Sequence, residues 1–215
     1  MTELAIEKFN ECLKDLNIDE DIVIVHSRLV PFNIKKQNIE QICELLIRRI
    51  GKNKSIIMPA FSYSFPRKKT WNYYNTKSQA GVMTEYFRKN ISEVRTIHPI
   101  HSISIFNNKY SIQHCSSSSF GKGSAWEFLC QNEVCNLSIG IGLDGGGTIC
   151  HFSEELFKVN YRKYVDLNGN VYDEKNKLVK KKFLYYARDE KKEVQNNWSK
   201  CENDLIKNKI MNIKI

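Results

Sequence analysis

No stretch of this 215-residue sequence approaches the ~18 consecutive apolar residues that a membrane-spanning helix needs. The seven cysteines (Cys12, Cys43, Cys115, Cys130, Cys135, Cys150 and Cys201) are odd in number and contain no CxxC pair. That argues against a disulfide framework and fits a reducing compartment. His114-Cys115 and Cys150-His151 are adjacent potential ligands, but their spacing matches no zinc motif, so no metal is expected. No zinc finger, RNP signature or helix-turn-helix stands out, so no nucleic-acid partner is expected despite a net charge of +9. There is no G-x-S-x-G elbow, and the run Ser116-Ser117-Ser118-Ser119 reads as a loop. The N-terminal MTELAIEKFNECLKDL is charged and helix-periodic, unlike a signal peptide. Hydrophobic residues at 41% are too many for a disordered chain. The expectation is a soluble, cytoplasmic, single domain over residues 1–215, with no membrane partner.

What is present has an α/β rhythm. Leu4, Ile6, Phe9, Leu13 and Leu16 share a face of a helix over 3–16, and residues 38–50 form a second amphipathic helix that Gly51 closes. Short apolar runs at 21–25 and 55–58 read as buried strands, the first ending at His26-Ser27-Arg28 and the second stopped by Pro59. This β-α-β pattern predicts a central mixed, largely parallel sheet covered by helices. Residues 61–80 form a long aromatic and polar loop of the functional kind. Further expectations are a helix at 82–90, a strand at 102–106, a helix at 124–130 with Ser124 as N-cap and a strand at 136–141. Beyond these come a helix at 149–158, a strand and turn over 161–172, a strand at 182–187 and a polar helix at 189–209.

Chemistry concentrates after the 136–141 strand. Gly140-Ile141-Gly142-Leu143-Asp144-Gly145 matches G-x-G-x-x-G, but it lies two-thirds along the chain, with too little sequence after it to complete a dinucleotide-binding half. The alternative is a loop that delivers His151 to the first turn of a helix, where a neutral imidazole suits a general base. Glu154 follows three residues later on the same face, within reach of that ring. The lysine run Lys175, Lys177, Lys180, Lys181 and Lys182 reads as a solvated surface or as attraction for an anionic ligand.

In order along the chain stand Val25-His26-Ser27, Met58-Pro59-Ala60-Phe61-Ser62, GVMTEYF at 81–87 and Arg95-Thr96-Ile97-His98-Pro99-Ile100-His101-Ser102. Phe120-Gly121-Lys122-Gly123-Ser124 and Gly147-Thr148-Ile149-Cys150-His151-Phe152-Ser153-Glu154 follow. This series resembles the aminoglycoside 3-N-acetyltransferase family over about residues 20–190, through its R-x-x-H-P-x-x-S and T-x-x-H-x-x-E elements. The resemblance implies an α/β fold, distinct from the more common acetyltransferase fold, and acetyl-CoA as acetyl donor. It implies His151 as general base with Glu154 its partner, and Thr148 or a glycine-loop amide as the oxyanion donor. It assigns His26, Ser27, Arg28, Arg95, Ser102 and Ser124 to CoA, while His98 reads equally as structural. Asn72 and Asp189 fall where the family binds its acceptor.

The departures bear on that acceptor. Aminoglycosides are polycations, yet the aromatic loop here carries Arg67, Lys68 and Lys69, and near the late strand only Asp189 and Glu190 are acidic. The expected acceptor is therefore a small amino sugar carried on a nucleotide, acetylated by direct transfer in a monomer or homodimer. The alternatives are an aminoglycoside-modifying resistance enzyme and a non-catalytic CoA- or nucleic-acid-binding module.

Overall fold

The computed structural model describes residues 2–112 and 115–213. Helix α1 (Thr2–Lys14) leads into strand β1 (Ile22–Ser27), helix α2 (Ile39–Ile50) and strand β2 (Ser55–Pro59). A one-turn α3 (Phe65–Lys68), a short β3 (Thr70–Asn72), α4 (Val82–Asn90), β4 (Val94–Arg95) and β5 (Ile103–Phe106) follow. The second half contains α5 (Ala125–Cys130), β6 (Val134–Ile139), a one-turn α6 (Leu143–Gly146) and α7 (Cys150–Leu156). It ends with β7 (Arg162–Leu167), β8 (Asn170–Tyr172), β9 (Phe183–Arg188) and α8 (Trp198–Lys207).

The central sheet has the order β4-β5-β2-β1-β6. It is mixed: β1 runs parallel to both β2 and β6, whereas β5 pairs antiparallel with β2 and β4. Alternation along β1 splits its side chains between two apolar layers. Val23 and Val25 pack with Phe9, Ile42, Leu46 and Phe87 from the helices on one face. Ile22 and Ile24 pack on the other face with Ile57, Ile105, Phe120 and Trp126. A third cluster of Phe65, Trp71, Leu167, Val171 and Phe183 joins two small sheets, β3–β8 and β7–β9.

The strand and turn expected over 161–172 form as β7 and β8 on either side of Asn168-Gly169; β7 pairs with β9 and β8 with β3. One expectation changes. The polar helix expected over 189–209 starts only at Trp198, where the Asn197 side chain accepts from the Lys200 amide at 3.0 Å. Residues 189–197 carry no apolar stripe to hold a helix against the body. Ser124 and Gly51 cap α5 and α2 as expected. Among the described residues, no helix is long and apolar enough to cross a membrane.

Candidate active site

The parallel strands β1 and β6 end side by side, and loops at the C-terminal ends of such strands are where α/β proteins place their sites. The loop leaving β6 must turn back across β1 at once. Gly140 does this with φ +66, and a Cβ there would overlap the Arg28 carbonyl oxygen. Gly146 lets α6 lie directly on β6, since a Cβ would overlap the Ser138 hydroxyl. This compact return carries the chain past Thr148 into α7, with His151 on its first turn.

One helical turn later Glu154 faces His151, and its carboxylate Oε2 is hydrogen-bonded to the ring Nδ1. Arg162, at the start of β7, places Nε 2.8 Å from the same carboxylate oxygen and Nη2 3.2 Å from His151 Nδ1. The Tyr161 hydroxyl donates to Glu154 Oε1 at 3.0 Å. Burial alone would raise the Glu154 pKa. The His151 hydrogen bond and charge, the Arg162 charge and the Tyr161 hydrogen bond together bring it down to about 2. Beside this carboxylate the Nδ1–H tautomer is the one favoured when His151 is neutral, and it leaves Nε2 as the proton acceptor. The Phe120 ring meets the imidazole edge-on at 5.2 Å.

Behind Phe120 lies His101, 4.7 Å from its ring centre and close to Phe61 and Tyr185. His101 bonds Ser119 Oγ at 2.9 Å, and burial, with His98, His151 and Arg162 nearby, pushes its pKa well down. His98 is structural: Nδ1 accepts from the amides of Ile100 and His101, Nε2 lies 3.3 Å from the Leu184 carbonyl oxygen, and burial lowers its pKa to about 4. A cleft of about 230 Å³ opens between the strand ends, walled by His26, Ser27, Tyr63, Gln79, Gly145 and Thr148. His26 is buried, its pKa lowered to about 4 by desolvation, and its Nε2 has no hydrogen-bond partner among the described residues. A neutral imidazole, a serine and a threonine around a narrow cleft suit an arm that carries amide groups.

The structure thus pairs His151 with Glu154 and places Thr148, three residues before His151, in the wall of the cleft with His26 and Ser27, while Arg28 lies exposed just after β1. The other expected ligands have their polar atoms engaged within the fold. Arg95 is 2% exposed and commits all five N–H groups: to Ser102 Oγ, to the carbonyls of Tyr73, Thr76 and Ala60, and to Ser62 Oγ. It also lies over the Trp71 ring. No donor remains for a CoA phosphate, so Arg95 and its partner Ser102, which donates to Ala60 at 2.8 Å, belong to the framework. Ser124 is buried and spent on capping α5, where it accepts from the Glu127 amide.

The acceptor assignments change too. Asn72 accepts from the amides of Tyr74 and Asn75 and donates to Asn176, so its carboxamide holds a turn. Asp189 is ion-paired with Lys163 at 2.9 Å, a contact that holds its pKa down. Tyr161 and Arg162 escaped the sequence reading because they open a segment that reads only as strand. The available signal was a Tyr and an Arg seven and eight positions beyond Glu154. The His114 of the adjacent His114-Cys115 pair lies outside the described residues. Among those residues no three His, Cys, Asp or Glu side chains are placed to hold a metal ion.

A model of the aminoglycoside 3-N-acetyltransferase family matches residues 24–214. A search of curated protein sequences returns no match. Among solved structures, the YokD protein from Bacillus subtilis is 22% identical, with a TM-score of 0.65 over 83% of this chain and 74% of that one. AAC-IIIb, solved as a binary complex with CoASH, is 13% identical, with a TM-score of 0.72 over 94% of this chain and 84% of its own. AAC-VIa bound to sisomicin is 17% identical, with a TM-score of 0.67 over 84% and 75%. At these identities the likeness is one of fold.

Proposed function

The chain belongs to the aminoglycoside 3-N-acetyltransferase family, and on that premise we propose that it moves an acetyl group from acetyl-CoA to an amino group of an amino sugar, with His151 as general base. The observation that carries this reading is the His151–Glu154 pair, braced by Arg162 and Tyr161, on the helix that follows Thr148 in the wall of the cleft that holds His26. The fit to the donor rests on that cleft: the unpartnered His26 Nε2 and the Ser27 and Thr148 hydroxyls offer hydrogen bonds to an amide-bearing thioester arm. His151 Nε2 takes a proton from the attacking amine as the nitrogen–carbon bond forms, and the carbon–sulfur bond then breaks. The proton passes to the leaving thiolate, so free CoA thiol and an amide are the products. Thr148 is the candidate donor to the oxygen that becomes negative in between.

The finer proposal concerns charge. Asp189 and Glu154 are both neutralised by cations, and Arg67, Lys68 and Lys69 are exposed on the aromatic loop. A polycation gains little there, whereas an amino sugar carried on an anionic nucleotide gains. One observation favours the second reading, an aminoglycoside acceptor: Glu155 is buried beside Glu154, and its Oε2 has no partner among the described residues. AAC-VIa is a fold neighbour with sisomicin bound. Thiol release from acetyl-CoA, measured against nucleotide-linked amino sugars and aminoglycosides in parallel, separates the two. Turnover of the nucleotide-linked class alone supports the first reading, and turnover of aminoglycosides alone replaces it with the second.

A further inference from the structure

A chain of hydrogen bonds fixes where two of the buried histidines carry their protons. Backbone amides only donate, so the amides of Ile100 and His101, at 3.2 and 3.0 Å, make His98 Nδ1 an acceptor. A neutral His98 therefore carries its proton on Nε2 and donates it to the Leu184 carbonyl oxygen at 3.3 Å. Ser119 Oγ lies 3.4 Å from the same nitrogen and 3.5 Å from the same carbonyl oxygen, but only 2.9 Å from His101 Nδ1. With the Leu184 oxygen served by His98, the Ser119 hydroxyl donates along its shortest contact, to His101 Nδ1. The neutral His101 ring then holds its own proton on Nε2, and that nitrogen has no hydrogen-bond partner among the described residues.

The place of this ring gives the free N–H a use. On one side it meets Phe61 at 5.0 Å and Tyr63 at 6.4 Å, and both wall the cleft of His26, Ser27 and Thr148. On the other it meets Phe120 at 4.7 Å, and Phe120 meets His151 at 5.2 Å. His101 thus stands between the space for a thioester arm and the imidazole of the base. The residue is 7% exposed, and burial keeps its ring uncharged. An N–H fixed from behind in apolar surroundings needs no reorganisation when negative charge develops in front of it.

Resting on the acetyl-CoA reading above, we propose that His101 is a further catalytic residue, whose Nε2–H donates a hydrogen bond to the thioester carbonyl oxygen. As the amine nitrogen bonds to the acyl carbon, the carbonyl π pair moves onto that oxygen, where the His101 N–H and the Thr148 hydroxyl meet the charge. When the pair returns, the carbon–sulfur bond breaks and its electrons leave on sulfur, which takes up the proton that His151 removed from the amine. His101 keeps its proton throughout.

The first test uses the wild type labelled with ¹⁵N-histidine, in which the ring nitrogen shifts report the tautomer. The expected result at neutral pH is an uncharged His101 protonated on Nε2, with an N–H resonance that moves when acetyl-CoA binds. An Nδ1–H tautomer, a charged ring, or a resonance that acetyl-CoA leaves in place overturns the proposal. The second test compares His101→Gln, whose side-chain amide can set an N–H near the Nε2 position, with His101→Met, of similar length and without a donor. The kcat for acetyl transfer is expected to fall about 10²- to 10³-fold in His101→Met and to stay within about tenfold of wild type in His101→Gln, the scale for loss of one oxyanion donor. Wild-type kcat in His101→Met, or equal losses in the two folded variants, overturns the donor role and leaves the acetyl-CoA reading standing. If neither variant folds, or no acceptor is turned over, the wild-type resonance decides. Absence of acetyl-CoA binding by the wild type overturns both.

Discussion

Glu154 shows how one residue's environment fixes another's chemistry. Its carboxylate is ionised far below the usual range because three groups from two elements point at it. In turn it accepts a hydrogen bond at His151 Nδ1, which leaves Nε2 as the proton acceptor of the neutral ring. His151→Ala is therefore expected to cut kcat by about 10²- to 10⁴-fold, the range for loss of a general base. CoA affinity and Tm should stay near wild type; a variant that retains wild-type kcat removes His151 from the chemistry. Glu154 also predicts a stability signature. Its folded pKa lies below the unfolded value of 4.5, so the stabilisation is fully present above pH 4.5 and is lost as pH falls toward about 2. Urea midpoints should drop between pH 5 and pH 3 by more in the wild type than in Glu154→Gln, and equal drops would count against the ion pair. This pair was legible in the sequence because three residues on a helix is a local relation. The surroundings of Arg95 were not legible for the converse reason: its partners come from Ala60, Ser62, Tyr73 and Thr76, and nothing in R-x-x-H-P distinguishes a guanidinium that binds phosphate from one that binds carbonyls.

Between elements, Arg95 is the pin that fastens the aromatic loop to the antiparallel side of the sheet. Four of its five hydrogen bonds are buried and the fifth, to Thr76, is part-buried, so a shorter donor leaves several acceptors unsatisfied. Arg95→Lys is expected to cost about 3–5 kcal/mol of unfolding free energy, because lysine cannot reproduce the planar fork. CoA affinity should remain unchanged in whatever fraction stays folded. A variant with wild-type stability and weakened CoA binding would restore the residue to the donor site. The glycine turn after β6 is a second joint. Gly140→Ala forces a side chain into the left-handed region against the Arg28 carbonyl, a strain of about 1–3 kcal/mol, and displaces the loop that leads to His151. Thermal unfolding and kcat should fall together; a full-rate, full-stability variant would show that the loop has room. The central strands and helices could be read from the sequence because apolar periodicity is intrinsic to each segment. The small sheets could not. β3 and β8 pair over three residues each, about a hundred positions apart, and Thr70-Trp71-Asn72 gives no local sign of its partner.

Over the whole molecule, the buried histidines set how the protein meets acid. Burial holds His26 and His98 at about 4 and His101 well below its ordinary value, so all three are neutral in the folded state at any pH above 5. In the unfolded chain each titrates near 6.5. Between pH 6.5 and 4 the unfolded state therefore binds protons that the folded state refuses, and stability declines as pH falls through that window. Each histidine contributes a slope of about 1.4 kcal/mol per pH unit where its two states differ fully. Two of the three flank the candidate site, with His101 behind Phe120 and His26 in the cleft, so loss of fold and loss of activity are expected to coincide in acid. The expected outcome is a urea midpoint that is flat above pH 7 and falls steeply from pH 6.5 to 4.5, with proton uptake of about two to three per molecule on unfolding at pH 5.5. This range lies above the Glu154 window, so the two effects separate on one titration. A midpoint that holds constant from pH 7 to 5 would mean that the histidines are solvated or paired in the folded protein. Their neutral state, and with it the apolar layer behind the His151 imidazole, would then have to be abandoned.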